Sequence, residues 1–170
     1  MSRKYTLNEI KAEVNRLAAQ INASADLLPT YGYSKDGARP HIEIDSRGYH
    51  YIVVERGQEM SRVTTDELDE LLYHVFKNVT SYLAGKYESK HRIDSQDSRR
   101  LIFQHQLELL SLLSPKWSQI KAREHERILK QHPFDDLANI RAELAKNLRV
   151  QGLSREAAWK KACEKYPLPK

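Results

Sequence analysis

The chain has 170 residues, 40% of them hydrophobic and 30% charged, with a formal net charge of +5. That is enough apolar material for one ordinary core, and six Gly and six Pro are too few for a disordered or fibrous class. A mean hydropathy of −0.70, with no run near the ~18 apolar residues of a spanning helix, argues against a membrane segment. The N-terminus is basic but lacks an apolar signal core, so no export is expected. Cys163 is the sole cysteine. An intramolecular disulfide is therefore impossible, and a reducing cytoplasm is the expected setting.

The first predicted helix covers Leu7 to Ile21. Thr6 and Glu9 have capping-box spacing, and Ile10, Val14, Leu17, Ala18 and Ile21 recur on one face. LLPTYGYSKDGARP, punctuated by Pro29, Gly32, Gly37 and Pro40, reads as loop. HIEID then alternates, SRG makes a short turn, and GYHYIVVE forms a second strand with apolar groups on both faces. Arg56-Gly57-Gln58 offers another turn before a short third strand, EMSRV. Glu55 and Arg56 are read as strand-end residues with local ion pairs.

The rest is read as helix. Thr64 and Glu67 have the spacing of a second capping box, followed by an apolar face from Leu68 to Leu83. LIFQHQLELLSLL resumes helical periodicity and is expected at the centre of the core. Ser114-Pro115 starts a helix running to about Lys130 that should bury Trp117, Ile120 and Ile128. Phe134, Leu137, Ile140, Leu144 and Leu148 predict another helix, stopped by Gly152, and Ser154 caps a last one through Tyr166. The expected fold is α+β. A small three-stranded antiparallel meander, about 41–63, packs with a mainly helical body of about six helices. One domain covers 1–170, with the N-terminal helix at 7–21 and the helical remainder at 65–166.

Sites of chemistry are sparse. No phosphate-cradling glycine motif and no H-E-x-x-H occur. His41 and His50 could face each other across the hairpin, but a metal would need a third ligand. Cys163 lies in a lysine-rich helix without a partner base. No catalytic, cofactor or metal residue is expected. Asp66, Glu67, Asp69 and Glu70 begin a helix, where the dipole favours negative charge. They could equally form an acidic patch for a basic partner, and Asp135 and Asp136 admit the same two readings. Tyr31, Tyr33, Tyr49 and Tyr51 cluster around the loop and hairpin, and tyrosine suits half-buried surfaces and interfaces. The candidate partner-binding residues are Tyr31, Tyr33 and Asp36 with Asp66, Glu67, Asp69 and Glu70.

GYHYIVVERGQEMSRVTTDELDELLYHVF, followed by HRIDSQDSRRLIFQHQLELLSLLSPKW and HPFDD, resembles the bacterial immunity protein 63 family. LPTYGYSKDGARPHIEID fits the same pattern, so the likeness runs from about Leu28 to Asp136. The resemblance implies a small cytoplasmic protein of a polymorphic toxin or contact-dependent inhibition system. Such a protein binds the C-terminal domain of a toxin delivered by a sibling cell and neutralises it stoichiometrically, without enzyme activity. No family site motif is carried over. Neither a membrane nor a direct nucleic-acid partner is expected. The alternative is a basic RNA- or DNA-binding module, suggested by the pI of about 9.2 and the basic helices after Tyr82. An enzyme with a non-standard site is a third reading.

Overall fold

A computed structural model describes residues 4–170; Met1 to Arg3, where the basic N-terminus begins, lie outside the described residues. In chain order the elements are α1 (Leu7–Gln20), a 3-10 turn (Ala25–Leu27), β1 (Thr30–Tyr31), β2 (Pro40–Asp45), β3 (Gly48–Glu55) and β4 (Gln58–Thr65). Then come α2 (Leu68–Lys90), α3 (Arg99–Leu113), α4 (Pro115–Gln131), α5 (Ala138–Val150) and α6 (Arg155–Lys165). The chain divides into two compact units: Met1–Leu83 with Glu108–Ser118, and Ala84–Leu107 with Gln119–Lys170.

The first unit holds the sheet. Its strand order is β1-β2-β3-β4, with β2, β3 and β4 antiparallel and β1 parallel to β2. The sheet is thus four-stranded and mixed, not a three-stranded meander. β1 escapes sequence reading because two residues carry no alternation; it forms because the β2 edge accepts it, and Gly32 N–H then donates to the Ile42 carbonyl at 2.8 Å. The Thr6 and Glu9 capping box of α1 is present as expected. The box expected from Thr64 and Glu67 is absent, because Thr64 is still strand. Thr65, the last residue of β4, ties the strand to the start of α2: its hydroxyl accepts from Glu67 N–H at 3.1 Å and donates to Glu70 at 2.7 Å.

Alternation along β2 and β3 puts Ile42, Tyr49 and Tyr51 on one sheet face, which meets α1 and α2. Tyr49 Oη accepts from Tyr5 N–H at 2.8 Å, Asn78 Nδ2 donates to Tyr51 Oη at 2.9 Å, and His74 stacks on Tyr51. Ile10, Val14, Leu71, Val75, Phe76, Leu110 and Trp117 complete this core. Both hairpins close tightly. Arg56 and Gly57 have φ of 51° and 74°, the left-handed pair of a type I′ turn that suits the strand twist. Gly48 has φ of 133°, and a Cβ there would lie 2.4 Å from the Thr65 carbonyl oxygen, so only glycine fits.

The second unit is helical, and several of its buried groups are small or polar. Ala158 and Ala162 of α6 and Ala145 of α5 are buried, and such small side chains let two helices approach closely. Three packing expectations are corrected. The α3 segment is not uniformly core, since Leu112 is 66% exposed while Gln106 is buried. Ile128 is exposed on α4, and the buried residue near it is His125. Helix α5 starts at Ala138, leaves Ile140 exposed and buries Arg141 instead.

Candidate interaction surface

The sheet face opposite the helices carries a linked polar network. Strand register places Glu43 beside His50, and Thr64 beside His50 on the other side, with His41 and Ile52 paired next along. His41 and His50 are therefore diagonal neighbours on this face. They are only 3% and 1% exposed. His41 Nε2 lies 3.1 Å from Glu43 Oε1, and His50 Nδ1 lies 2.8 Å from Thr64 Oγ1. His50 Nε2 is 2.8 Å from Asp45 Oδ1, close in distance but outside hydrogen-bond geometry. Asp45 also takes a two-pronged contact from Arg47. That contact first, and His50 second, hold the Asp45 carboxyl well below the usual carboxylate range.

A bulge extends the network to the β4 edge. Val53 pairs with Ser61 but Val54 pairs with Glu59, so Met60 is the extra residue. Within β4, Arg62 grips Glu59 at 3.0 and 2.9 Å. Its other prong is 3.9 Å from Glu43. The ionised groups of this face thus already face one another. Among the described residues no three His, Cys, Asp or Glu side chains form a metal-binding group.

The residues selected from sequence fall at two places. Asp36, at φ 56°, accepts Gly57 N–H at 3.1 Å and so braces the β3–β4 turn. Tyr31 is half-buried, its hydroxyl has no hydrogen-bond partner among the described residues, and burial pushes its pKa up to about 12. Lys11 lies 6.0 Å from its ring centroid, while Tyr33 projects into solvent. The acidic start of α2 lies at the other end of β3, beside Gly48. At about 3.3 Å per residue Asp36 is roughly 25 Å from that acidic start, whereas Tyr31 pairs with Ile42 and lies level with Tyr51. Within the acidic group, Asp69 takes bonds from Lys116 at 2.7 Å and Trp117 Nε1 at 3.0 Å, and Glu70 is held by Thr65. Asp66 and Glu67 are exposed, and their carboxylates have no ion pair among the described residues. Glu55 and Arg56 likewise make no ion pair among the described residues, contrary to expectation.

In the second unit, Asp135 and Asp136 serve as internal braces. Asp97 N–H donates to Asp136 at 2.9 Å, and Asp135 N–H donates back to Asp97 at 2.8 Å. Burial would raise the Asp97 carboxyl, but Arg99 and the backbone N–H groups of Asp135 and Arg99 outweigh it and hold it at about 2. Arg100 pairs with Asp136 and lies 4.2 Å over the Phe134 ring. Arg141, 1% exposed, pairs with Asp135 and donates to the carbonyls of Tyr166 and Pro167. His125 stacks on Phe103 with ring centroids 3.8 Å apart and bonds Gln106 through Nε2. Burial first, then Lys121, pushes its pKa down to about 4. Sequence periodicity carried no signal for these buried polar partners.

Charge is distributed less evenly than the spread of Lys and Arg suggests. Residues 138–170 hold eight of the 28 basic residues and three of the 23 acids. The remainder has 20 of each, so the whole +5 lies in α5, α6 and the tail.

These features define an α+β protein with an ordered polar sheet face and a basic C-terminal helix pair. The family model for Immunity protein 63 matches residues 45–127. This match, 83 of the 170 residues, supports assigning the chain to the immunity protein 63 family. The matched segment is shorter than the likeness seen in the sequence, and it ends before α5. No curated protein and no solved structure matches the chain. Among the described residues no helix is long and apolar enough to cross a membrane.

Proposed function

We propose that this chain is an immunity protein that binds a cognate toxin C-terminal domain in the bacterial cytoplasm and neutralises it stoichiometrically, by binding and not by catalysis. The family match carries this reading. The matched residues run from the first unit into the second, which supports treating residues 1–170 as one immunity domain. A surface whose side chains are already held by one another loses little freedom when a partner arrives, and the polar sheet face has that character.

For the contact surface we retain Tyr31, Tyr33 and Asp36, with Asp66, Glu67, Asp69 and Glu70. A standard interface of about 800 Å² per partner is wide enough to span the roughly 25 Å between Asp36 and the start of α2. Asp66 and Glu67 are the pair best placed to steer a basic toxin surface, while Asp69 and Glu70 hold the start of α2. Co-expression with the cognate toxin tests the function: cells should survive, and the two proteins should co-purify at equal stoichiometry. Continued killing despite soluble immunity protein sinks the reading. Reversing Asp66 and Glu67 to lysine should slow association by about tenfold at low salt, and unchanged kinetics would exclude these two residues.

A further inference from the structure

The α5–α6 pair has features the toxin reading does not use. A groove of about 630 Å³ lies along it, lined by Ala142, Ala145, Lys146, Arg149, Arg155 and Trp159, with Glu156 also on the rim. A second recess continues past Val150 and Leu153 and shares Lys146, Arg149 and Arg155. None of these three cations has a carboxylate partner among the described residues. In contrast, Arg141 on the same helix is buried and fully engaged. Apolar surface lies beside the cations: Val150 is 82% exposed and Trp159 44%.

We propose that this groove binds an acidic amphipathic helix of a protein partner. Two independent observations carry it. One is charge complementarity, since the chain's whole positive excess lies in residues 138–170 and the rim cations are unpaired. The other is shape and polarity: an alanine floor with Trp159 and Val150 at its edges can take apolar side chains spaced i, i+3 and i+4, while carboxylates on the flanks meet the cations. On α5 the lining runs from Ala142 to Val150, about 13 Å of groove at 1.5 Å per residue. That length suits a partner helix of two to three turns. A nucleic-acid backbone would use the cations but leave Val150, Leu153 and the alanine floor unfilled. The proposal does not depend on the toxin reading, because the groove lies outside residues 45–127.

The test uses the full chain and three probes: a designed Glu-rich helical peptide with leucines at i, i+3 and i+4, a scrambled peptide of the same composition, and a single-stranded oligonucleotide. Trp159 emission should shift on adding the helical peptide, with buried Trp117 as a constant background. The helical peptide should bind about tenfold tighter than the scrambled one. The K146E/R149E/R155E variant and, separately, V150D should each lose about that factor. All four positions are on the surface, so circular dichroism should show the native fold in each variant. Equal binding of the two peptides would reduce the groove to unspecific charge attraction and overturn the proposal. So would an oligonucleotide that binds tighter than the peptide with a steep salt slope, which is the mark of phosphate neutralisation.

Discussion

The sheet unit and the helical unit are stabilised in opposite ways. In the first, large apolar side chains such as Phe76, Leu71 and Tyr49 fill the core, and charged groups decorate a sheet face where they pair with each other. In the second, charge is drawn into the interior at Arg141 and Asp97, a neutral histidine is buried, and alanines make the helix contact. Among the described residues, Lys146, Arg149 and Arg155 on its surface have no carboxylate partner. A buried charge must be matched within the fold, because taking it from water costs several kcal/mol (roughly) unless its hydrogen bonds are replaced. An exposed one is not under that constraint. The contrast between Arg141 and Arg149 on one helix shows the rule directly.

The largest effect should come from breaking the buried pair. Arg141→Leu leaves Asp135 and two tail carbonyls without their donor and should cost about 3–5 kcal/mol. Arg149→Ala should change stability by less than about 0.5 kcal/mol. Urea denaturation of both variants checks this, and equal midpoints would remove the contrast. Next is acid sensitivity. His125 titrates at about 4 in the fold against about 6.5 in an unfolded chain. The unfolded state therefore takes up the proton first. Stability from this group is complete above about pH 6.5 and declines as pH falls toward 4, by about 3 kcal/mol in all. His125→Gln should flatten that part of the profile. Asp97 should add a loss only below about pH 4, where an unfolded aspartate begins to protonate.

On the sheet side the effects should be smaller. Gly48→Ala, strained in φ and driven against the Thr65 carbonyl, should cost about 2–3 kcal/mol, read from the thermal midpoint. Arg62→Ala removes contacts to Glu59 and Glu43 at a solvent-facing edge and should cost less than about 1 kcal/mol. A larger loss would show that the sheet-face network is structural and not a prearranged surface.

Sequence alone determined the α+β class, the two hairpin turns, the α1 cap at Thr6 and the boundaries of most helices. These depend on neighbours a few residues apart: alternation, apolar spacing, turn glycines and hydroxyl caps. The likeness to immunity protein 63 was also readable, because it follows residue order. Tertiary structure alone decided the rest. β1 exists only because β2 offers it an edge. Thr64 makes no cap because β4 runs on through Thr65 and the Thr64 hydroxyl meets His50. Arg141, Asp97 and His125 became interior groups through partners such as Tyr166, Asp135 and Gln106. Those partners lie 25, 38 and 19 residues away, beyond the reach of any local pattern. Asp36 and the acidic start of α2 were separated along β3 for the same reason, since strand direction and register are set by pairing and not by proximity in the chain.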